Sequence, residues 1–471
     1  MIGRKREQQI LDTCLQSPRP EFLAVYGRRR IGKTYLIREY FHDRFAFYAT
    51  GVHGEKTRQQ LKAFRDSLSR YSGKDQKIPA DWFEAFARLR EILEEVNSVR
   101  DPVSGKKVVF LDELPWMDTA RSDFKAALDY FWNSWGSAQK DLLLIVCGSA
   151  TSWIIDHLLA DTGGFYNRVT RQMHMKPFTL AECEALLHEN QIDLPRKQIL
   201  QCYMVFGGVP QYLNSLDRRL SLDQNIEQLC SSETGDLRYE YERLYRSLFR
   251  NADRHIAIID QLSRSTGGTL RTELALNPKI GDGESLTKAL MELEQCGFIR
   301  RYQNIAREKQ GFFYQIIDPF TLFSLRFLRN SQLSSWMEFI GTPAYYNWCG
   351  NAFEMLCLNH VPQIKQVLGI PSVETKEYSW RSRQKKDGAQ IDLIIDRKDQ
   401  LINLCEMKFT REPFVIDAAY EKQLIHKLEL FRQETTTDKA VHITMVSAAG
   451  LMRNQYAGSV QSAISGDELF V

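Results

Sequence analysis

Two hydrophobic periods alternate through the first third of the chain. Phe22–Tyr26, Val108–Leu111 and Leu142–Cys147 are unbroken apolar runs, the composition of strands buried on both faces of a parallel sheet. Between them the apolar residues recur at helical spacing. Residues 55–100 read as helices with Phe64, Leu68, Trp82, Phe83, Phe86, Leu89 and Ile92 in the core. Phe124, Leu128, Phe131 and Trp132 mark a further helix before the third run. Strands alternating with helices predict an α/β fold on a parallel sheet.

The rhythm changes in the middle of the chain. Ile256–Leu262, a short stretch at Thr272–Leu276, and Ser285–Gly297 read as three helices, the last stopped by glycine. Phe298–Tyr302 and Phe312–Ile317 read as two strands. This is the order of a winged helix, expected over 236–320. The third helix carries Glu284, Glu292 and Glu294 against Lys288 alone, which suits DNA poorly because phosphate neutralisation dominates DNA affinity. That disfavours a winged-helix transcription regulator. A structural or interdomain role is the favoured expectation for the helix; Arg300, Arg301, Arg307 and Lys309 lie in the wing, where contact with phosphates is the alternative. Asp318-Pro319 opens a last domain, 321–471, predicted to be α/β. There a helix beginning at Asn351 carries Glu354, and Ile391–Arg397 and Leu401–Lys408 form a hairpin about Lys398-Asp399-Gln400.

Composition narrows the picture. A chain of 471 residues with 43% apolar content holds about three domains. The net charge of +3 excludes a uniformly basic nucleic-acid binder. Nine scattered cysteines without a C-x-x-C pair read as buried thiols in a reducing compartment. No apolar stretch has the length of a membrane span or the form of a signal peptide, so the expectation is a cytoplasmic protein with no membrane partner.

The chemistry starts at Gly27-Arg28-Arg29-Arg30-Ile31-Gly32-Lys33-Thr34, which fits the phosphate-binding loop G-x-x-x-x-G-K-[ST] between a strand and a helix. Backbone N–H groups must turn inward round phosphate oxygens, which favours glycine at the tight positions, and the helix N-terminus adds a favourable dipole. Lys33 is expected on the β- and γ-phosphates of ATP and the Thr34 hydroxyl on Mg²⁺. The second apolar run ends in Asp112-Glu113, at the sheet edge where ligands bind. Asp112 is expected to hold Mg²⁺ and Glu113 to polarise the attacking water. Ser149, at the tip of the third run, senses the γ-phosphate or orients water, or else caps the next helix. Arg168, after Gly163–Asn167, is a candidate transition-state arginine in a multimer or after domain closure. Arg171 is the alternative, and an ordinary exposed arginine the plain one.

The Gly27–Thr34 loop, Asp112-Glu113, Gly148-Ser149, Asn167-Arg168 and the Gly207-Gly208-Val209-Pro210 turn together resemble the archaeal-type ATPases, a STAND-like branch of the AAA+ ATPases, over about residues 1–235. The resemblance implies a nucleotide-switched ATPase module, a parallel-sheet P-loop domain with a helical lid over 1–235. In such ATPases a short motif such as Ile2–Glu7 often touches adenine.

In the hairpin, a three-residue turn sets Asp392 opposite Glu406, and Lys408 shares that face because strand side chains alternate. Two carboxylates and a lysine suit a Mg²⁺ or Mn²⁺ nuclease. Asp392, then Glu406-Met407-Lys408, resembles the PD-(D/E)-x-K nucleases, although Ile391 stands where proline is usual. The resemblance implies a restriction-endonuclease-like domain. It further implies that Glu354 joins Asp392 and Glu406 at the metal, and that Gln423 matches a later helix glutamine. A salt-bridged surface is the plain alternative. Lys376, Trp380, Arg381, Arg383, Lys385 and Lys386 suggest a basic loop for nucleic acid, with Trp380 stacking on a base, or a flexible loop. The sequence thus favours a Mg²⁺-dependent ATPase switch coupled to a nuclease acting on DNA. The runner-up is a STAND-like ATPase whose last domain binds a protein or nucleic acid without cutting. A homo-oligomer is a further expected partner state.

Overall fold

The computed structural model describes residues 2–159, 168–249, 251–265, 267–305, 311–329, 335–382, 384 and 387–471. The chain divides into two units, Met1–Lys176 and Pro177–Val471. The break falls inside the stretch 1–235 expected to form the first domain.

In the first unit, five parallel strands are ordered β2-β3-β4-β1-β5. They are β1 (Glu21–Tyr26), β2 (Phe47–Thr50), β3 (Lys107–Asp112), β4 (Leu142–Gly148) and β5 (Arg171–His174). Every residue of β1 and β4 is buried. Phe22, Ala24, Leu142, Leu144 and Val146 face a layer of helices at Thr57–Ser72, Trp82–Glu94 and Phe124–Ser134. Leu23, Val25, Leu143 and Ile145 face the helices Lys5–Gln16 and Lys33–Tyr40. Two covered faces explain the unbroken apolar runs. One expected core position is corrected. Phe83 is exposed and meets Tyr130, because Trp82, Phe86, Leu89 and Leu93 already form the inward stripe of that helix.

The second unit opens with helices Leu180–Glu189 and Arg196–Phe206. After them, a Cβ on Gly208 would lie 1.9 Å from Phe178 O, so only glycine fits. Helices Ala252–Leu262, Arg271–Ala275 and Glu284–Gln295 accompany a three-stranded antiparallel sheet, β6 (Thr269–Leu270), β8 (Phe313–Ile316) and β7 (Ile299–Tyr302), in that order. A second five-stranded sheet holds β9 (Thr375–Arg381), β10 (Gln390–Arg397), β11 (Leu401–Lys408), β13 (Ala440–Ser447) and β15 (Val460–Ser465). Its first three strands are antiparallel neighbours and its last two run parallel to β11. A small pair, β12 (Phe414–Val415) and β14 (Leu451–Met452), flanks it. Helix Ala418–Thr435 covers this sheet through Leu424, Leu430 and Phe431.

All nine cysteines are buried thiols. Among the described residues no helix is long and apolar enough to cross a membrane.

Candidate functional sites

The phosphate loop closes the C-terminal end of β1. Gly27 has φ +142°, and a Cβ there would lie 2.3 Å from Met175 O. Arg30 and Gly32 adopt left-handed backbone conformations (φ 73° and 86°), which winds 27–32 into a loop before the helix at Lys33. Lys33 Nζ lies inside it, donating to Gly27 O at 2.7 Å and Arg28 O at 2.8 Å. Of the Ile2–Glu7 stretch, Arg4 reaches the loop. Its buried guanidinium donates to Ile31 O at 2.8 Å and Lys176 O at 2.7 Å. Nothing local in the sequence marks that brace.

Thr34 Oγ1 donates to Asp112 Oδ2 at 2.8 Å, across the intervening β4. Burial raises the Asp112 carboxyl above its usual range, and the Thr34 hydrogen bond opposes it. A hydroxyl and a buried carboxylate in contact, beside the Lys33 loop, are the hard oxygen donors a Mg²⁺ ion takes; the residues fit the expected cation. Glu113 follows in the left-handed region (φ 46°). Its Oε2 accepts from Ser149 Oγ at 2.9 Å and Ser149 N at 3.3 Å. The close approach requires Gly148, where a Cβ would lie 2.6 Å from Pro115 Cδ. The Ser149 side chain is thus held on Glu113, and the following helix has Ala150 at its N-cap.

Arg168 is exposed and lies toward the opposite edge of the sheet. Thr170 N donates to Phe22 O, and Leu23 pairs with Arg171. The phosphate loop begins five residues further along β1, about 16 Å away at 3.3 Å per residue. Arg171 turns to Glu21 at 3.7 Å. Neither arginine joins this chain's own loop; Gly163–Asn167 lie outside the described residues.

In the second unit, Leu393, Ile394, Ile395 and Asp396 pair with Cys405, Leu404, Asn403 and Ile402. One step outward, that register sets Asp392 opposite Glu406, as the three-residue turn requires. Lys408 Nζ is 3.3 Å from Glu406 Oε1. Two residues of helix Ala418–Thr435 complete the arrangement: Lys427 Nζ donates to Glu406 Oε2 at 2.7 Å and Tyr420 OH to Oε1 at 2.9 Å. The sequence reading missed both. They sit seven residues apart, on one helix face, but only packing shows that the face meets Glu406. Gln423, singled out instead, is exposed.

Burial would raise the Glu406 carboxyl, but Lys427 and Lys408 outweigh it and hold it below its usual range. Burial raises Asp392; the Gln390 hydrogen bond opposes this and the charge on Glu406 adds to it. Glu354, on helix Pro343–Asn359, is pushed up to about 8 by burial and then by Asp392. Its Oε1 is buried without a hydrogen-bond partner among the described residues. These oxygens have the chemistry of a Mg²⁺ or Mn²⁺ site. The three carboxylates expected at a metal do not stand together: among the described residues no three acidic, His or Cys groups gather closely enough to hold one. Glu406 is turned to two lysines.

The reading of Trp380 as a stacking platform for a base is corrected. Trp380 is fully buried, edge-on to Phe431 in the sheet core, so it offers no base a face. Arg300 faces inward to Gln315 and the Asp392 carbonyl, and Arg301 pairs with Glu294 at 3.1 Å. Arg307, Lys309, Arg383, Lys385 and Lys386 lie outside the described residues.

Residues 1–216 match the family model of an ATPase domain predominantly from Archaea. An uncharacterized protein of Methanocaldococcus jannaschii is 25% identical over 425 residues, 87% of each chain. Among solved structures, the Walker-type ATPase of Pyrococcus abyssi aligns with 69% of this chain and 96% of its own, with a TM-score of 0.52 and 19% identity. The ORC2 protein of Aeropyrum pernix aligns with 69% of this chain and 93% of its own, at a TM-score of 0.41 and 13% identity. Residues 1–216 thus resemble an ATPase domain of the archaeal type, and the α/β fold with a parallel sheet is the one typical of phosphate-loop ATPases.

Proposed function

We propose that this protein is a Mg²⁺-dependent, ATP-hydrolysing switch of the STAND-like kind, coupled to a C-terminal domain that cleaves phosphodiester bonds, with DNA the favoured substrate. The observation that carries the second half is the β10–β11 register, which supports a site where the Asp392 end of β10 runs beside the Glu406–Lys408 end of β11. The functional division follows 1–235 for the ATPase with its helical lid, 236–320 for a winged helix, and 321–471 for a restriction-endonuclease-like domain. The element order helix, strand, two helices, two strands supports the winged helix. A helix, a three-stranded meander, a helix and a further strand support the last.

In the ATPase, Thr34 and Asp112 would hold Mg²⁺, which supplies charge neutralisation on phosphate oxygens. Lys33 and the N–H groups of 27–32 bind the phosphates, and Glu113 polarises water, its carboxylate held by Ser149. The remoteness of Arg168 from its own loop supports a reading in which it serves a second copy of this chain. In the last domain, cleavage would require Asp392, Glu406 and Glu354 to draw together on Mg²⁺ or Mn²⁺, with Lys408 orienting water or offsetting charge at the phosphate. The lysines now on Glu406 favour a second reading, in which this face binds a partner without cutting.

The test is nicking of supercoiled plasmid, single-stranded DNA and RNA with Mg²⁺ or Mn²⁺, with and without ATP, beside Glu406→Ala and Lys33→Ala. Cleavage lost in Glu406→Ala is the expected result, and the Lys33→Ala lane reports whether ATP gates it. ATP turnover without cleavage of any substrate would overturn the nuclease and leave the second reading.

A further inference from the structure

β10 is not a regular strand where Asp392 sits. Ile391 pairs with Trp380, but the next paired residue, Ile394, meets Tyr378. Asp392 and Leu393 therefore stand opposite the single residue Ser379, a β-bulge. Bulges re-aim side chains and leave backbone groups outside the ladder, and a backbone carbonyl away from water needs a donor.

The donor comes from another part of the chain. Arg300, on β7, reaches the Asp392 carbonyl with Nη2 at 3.4 Å, and forks onto Gln315 Oε1 with Nε and Nη2 at 2.9 and 2.7 Å. Its guanidinium lies over the Tyr302 ring at 4.6 Å. The chain just beyond β7 fixes the same place from the other side: Ser379 N donates to Gln303 O at 3.3 Å, and Ile305 N to Ser379 O at 3.2 Å. The β7–β8 hairpin is thus stitched to β9 at the residue facing the bulge. The carboxylate end of Asp392 is held separately, by Gln390 Nε2, and Gln390 is held by Arg381.

We propose that Arg300 is a positioning residue for the Asp392–Glu406–Lys408 face: it holds the bulge, so the middle hairpin sets where Asp392 points. The consequence is regulatory. Any displacement of the hairpin withdraws the carbonyl's donor and misaligns Asp392, so the winged-helix-like segment controls the site from its back rather than by touching nucleic acid. The role in cation binding rests on the reading proposed above; the role in holding the bulge does not.

Two readouts separate these. The first is Mn²⁺ affinity of the full chain, with Thr34→Ala present to remove the nucleotide-site cation. Second partners of metal ligands change affinity about 10–100-fold, and a loss in that range is expected for Arg300→Gln and for Gln315→Met. Arg300→Lys keeps the charge but lacks the planar fork, and is expected to remain impaired; full recovery by lysine would overturn positioning in favour of a bare counter-charge. The second is amide hydrogen exchange. Arg300→Gln is expected to speed exchange in a peptide covering 388–396 while β13 stays protected. Unchanged exchange at 388–396, or a uniform rise across the sheet, would overturn the proposal. If the chain carrying Thr34→Ala binds no Mn²⁺, with or without Glu406→Ala, the cation reading fails and hydrogen exchange alone decides the role of Arg300.

Discussion

Replacing Lys427 by methionine removes the ammonium that donates to Glu406 Oε2 at 2.7 Å and keeps most of the side chain's apolar length. Glu406 retains Lys408 at 3.3 Å and Tyr420 at 2.9 Å. The change is therefore smaller than the roughly 3–5 kcal/mol for stranding a buried charge. A hydrogen bond to a charged group contributes about 1.5–3 kcal/mol. Lys427 is a quarter exposed and Glu406 about one-eighth, so solvent screening sets the value near 2 kcal/mol. The assay is a double-mutant cycle of Lys427→Met and Glu406→Gln. The opening free energy of the C-terminal sheet is read from hydrogen exchange of β10 and β11. The expected coupling is about 1.5–2.5 kcal/mol. A coupling below about 0.5 kcal/mol, the usual limit of additivity, would refute the claim that Lys427 holds Glu406 ionised.

Four further outcomes are expected. Gly27→Ala drives a methyl into Met175 O and strains a positive φ, so fluorescent-nucleotide titration should show binding weakened at least about tenfold, consistent with the 1–3 kcal/mol typical of overpacking; wild-type affinity would contradict the loop geometry. Glu113→Gln should bind nucleotide but lose turnover by about 100-fold or more, the lower range for a general base. Ser149→Ala should lower turnover with little change in nucleotide affinity, because it frees the Glu113 carboxylate; phosphate-release and binding assays test both. His360, buried, accepts Leu180 N–H at Nε2 and so donates from Nδ1 to Leu356 O, and burial lowers it to about 4. Its contribution is fully present above the unfolded value near 6.5 and drains away as pH falls toward 4, by about 3 kcal/mol; urea unfolding from pH 8 to 4.5 should lose this slope in His360→Gln.

Much of the ATPase half was legible because its signals are local. Phe22–Tyr26 and Leu142–Cys147 are apolar throughout, since both faces of the sheet are covered. Gly27 and Gly32 stand where the loop takes positive φ, and Asp112-Glu113 ends a strand at the ligand edge. The register of the β10–β11 hairpin was legible for the same reason: a short turn and a period of two leave one register. Phe83 and Trp380 were misread because a residue's own segment does not say which face is covered. Trp380 leads into a basic stretch yet fills the core against Phe431. Arg300 sits on a hairpin that looks free in sequence, yet the chain beyond it pairs with β9. The Arg4 brace on Ile31, the Ser149 bonds to Glu113, and the grip of Tyr420 and Lys427 on Glu406 join residues 14 to 36 positions apart. The chain by itself determined its periods, turns and loop glycines, because these are set by backbone sterics within a few residues. Only the tertiary structure decided which charged side chain met which, because that depends on strand order and on the faces that helices turn to the sheet.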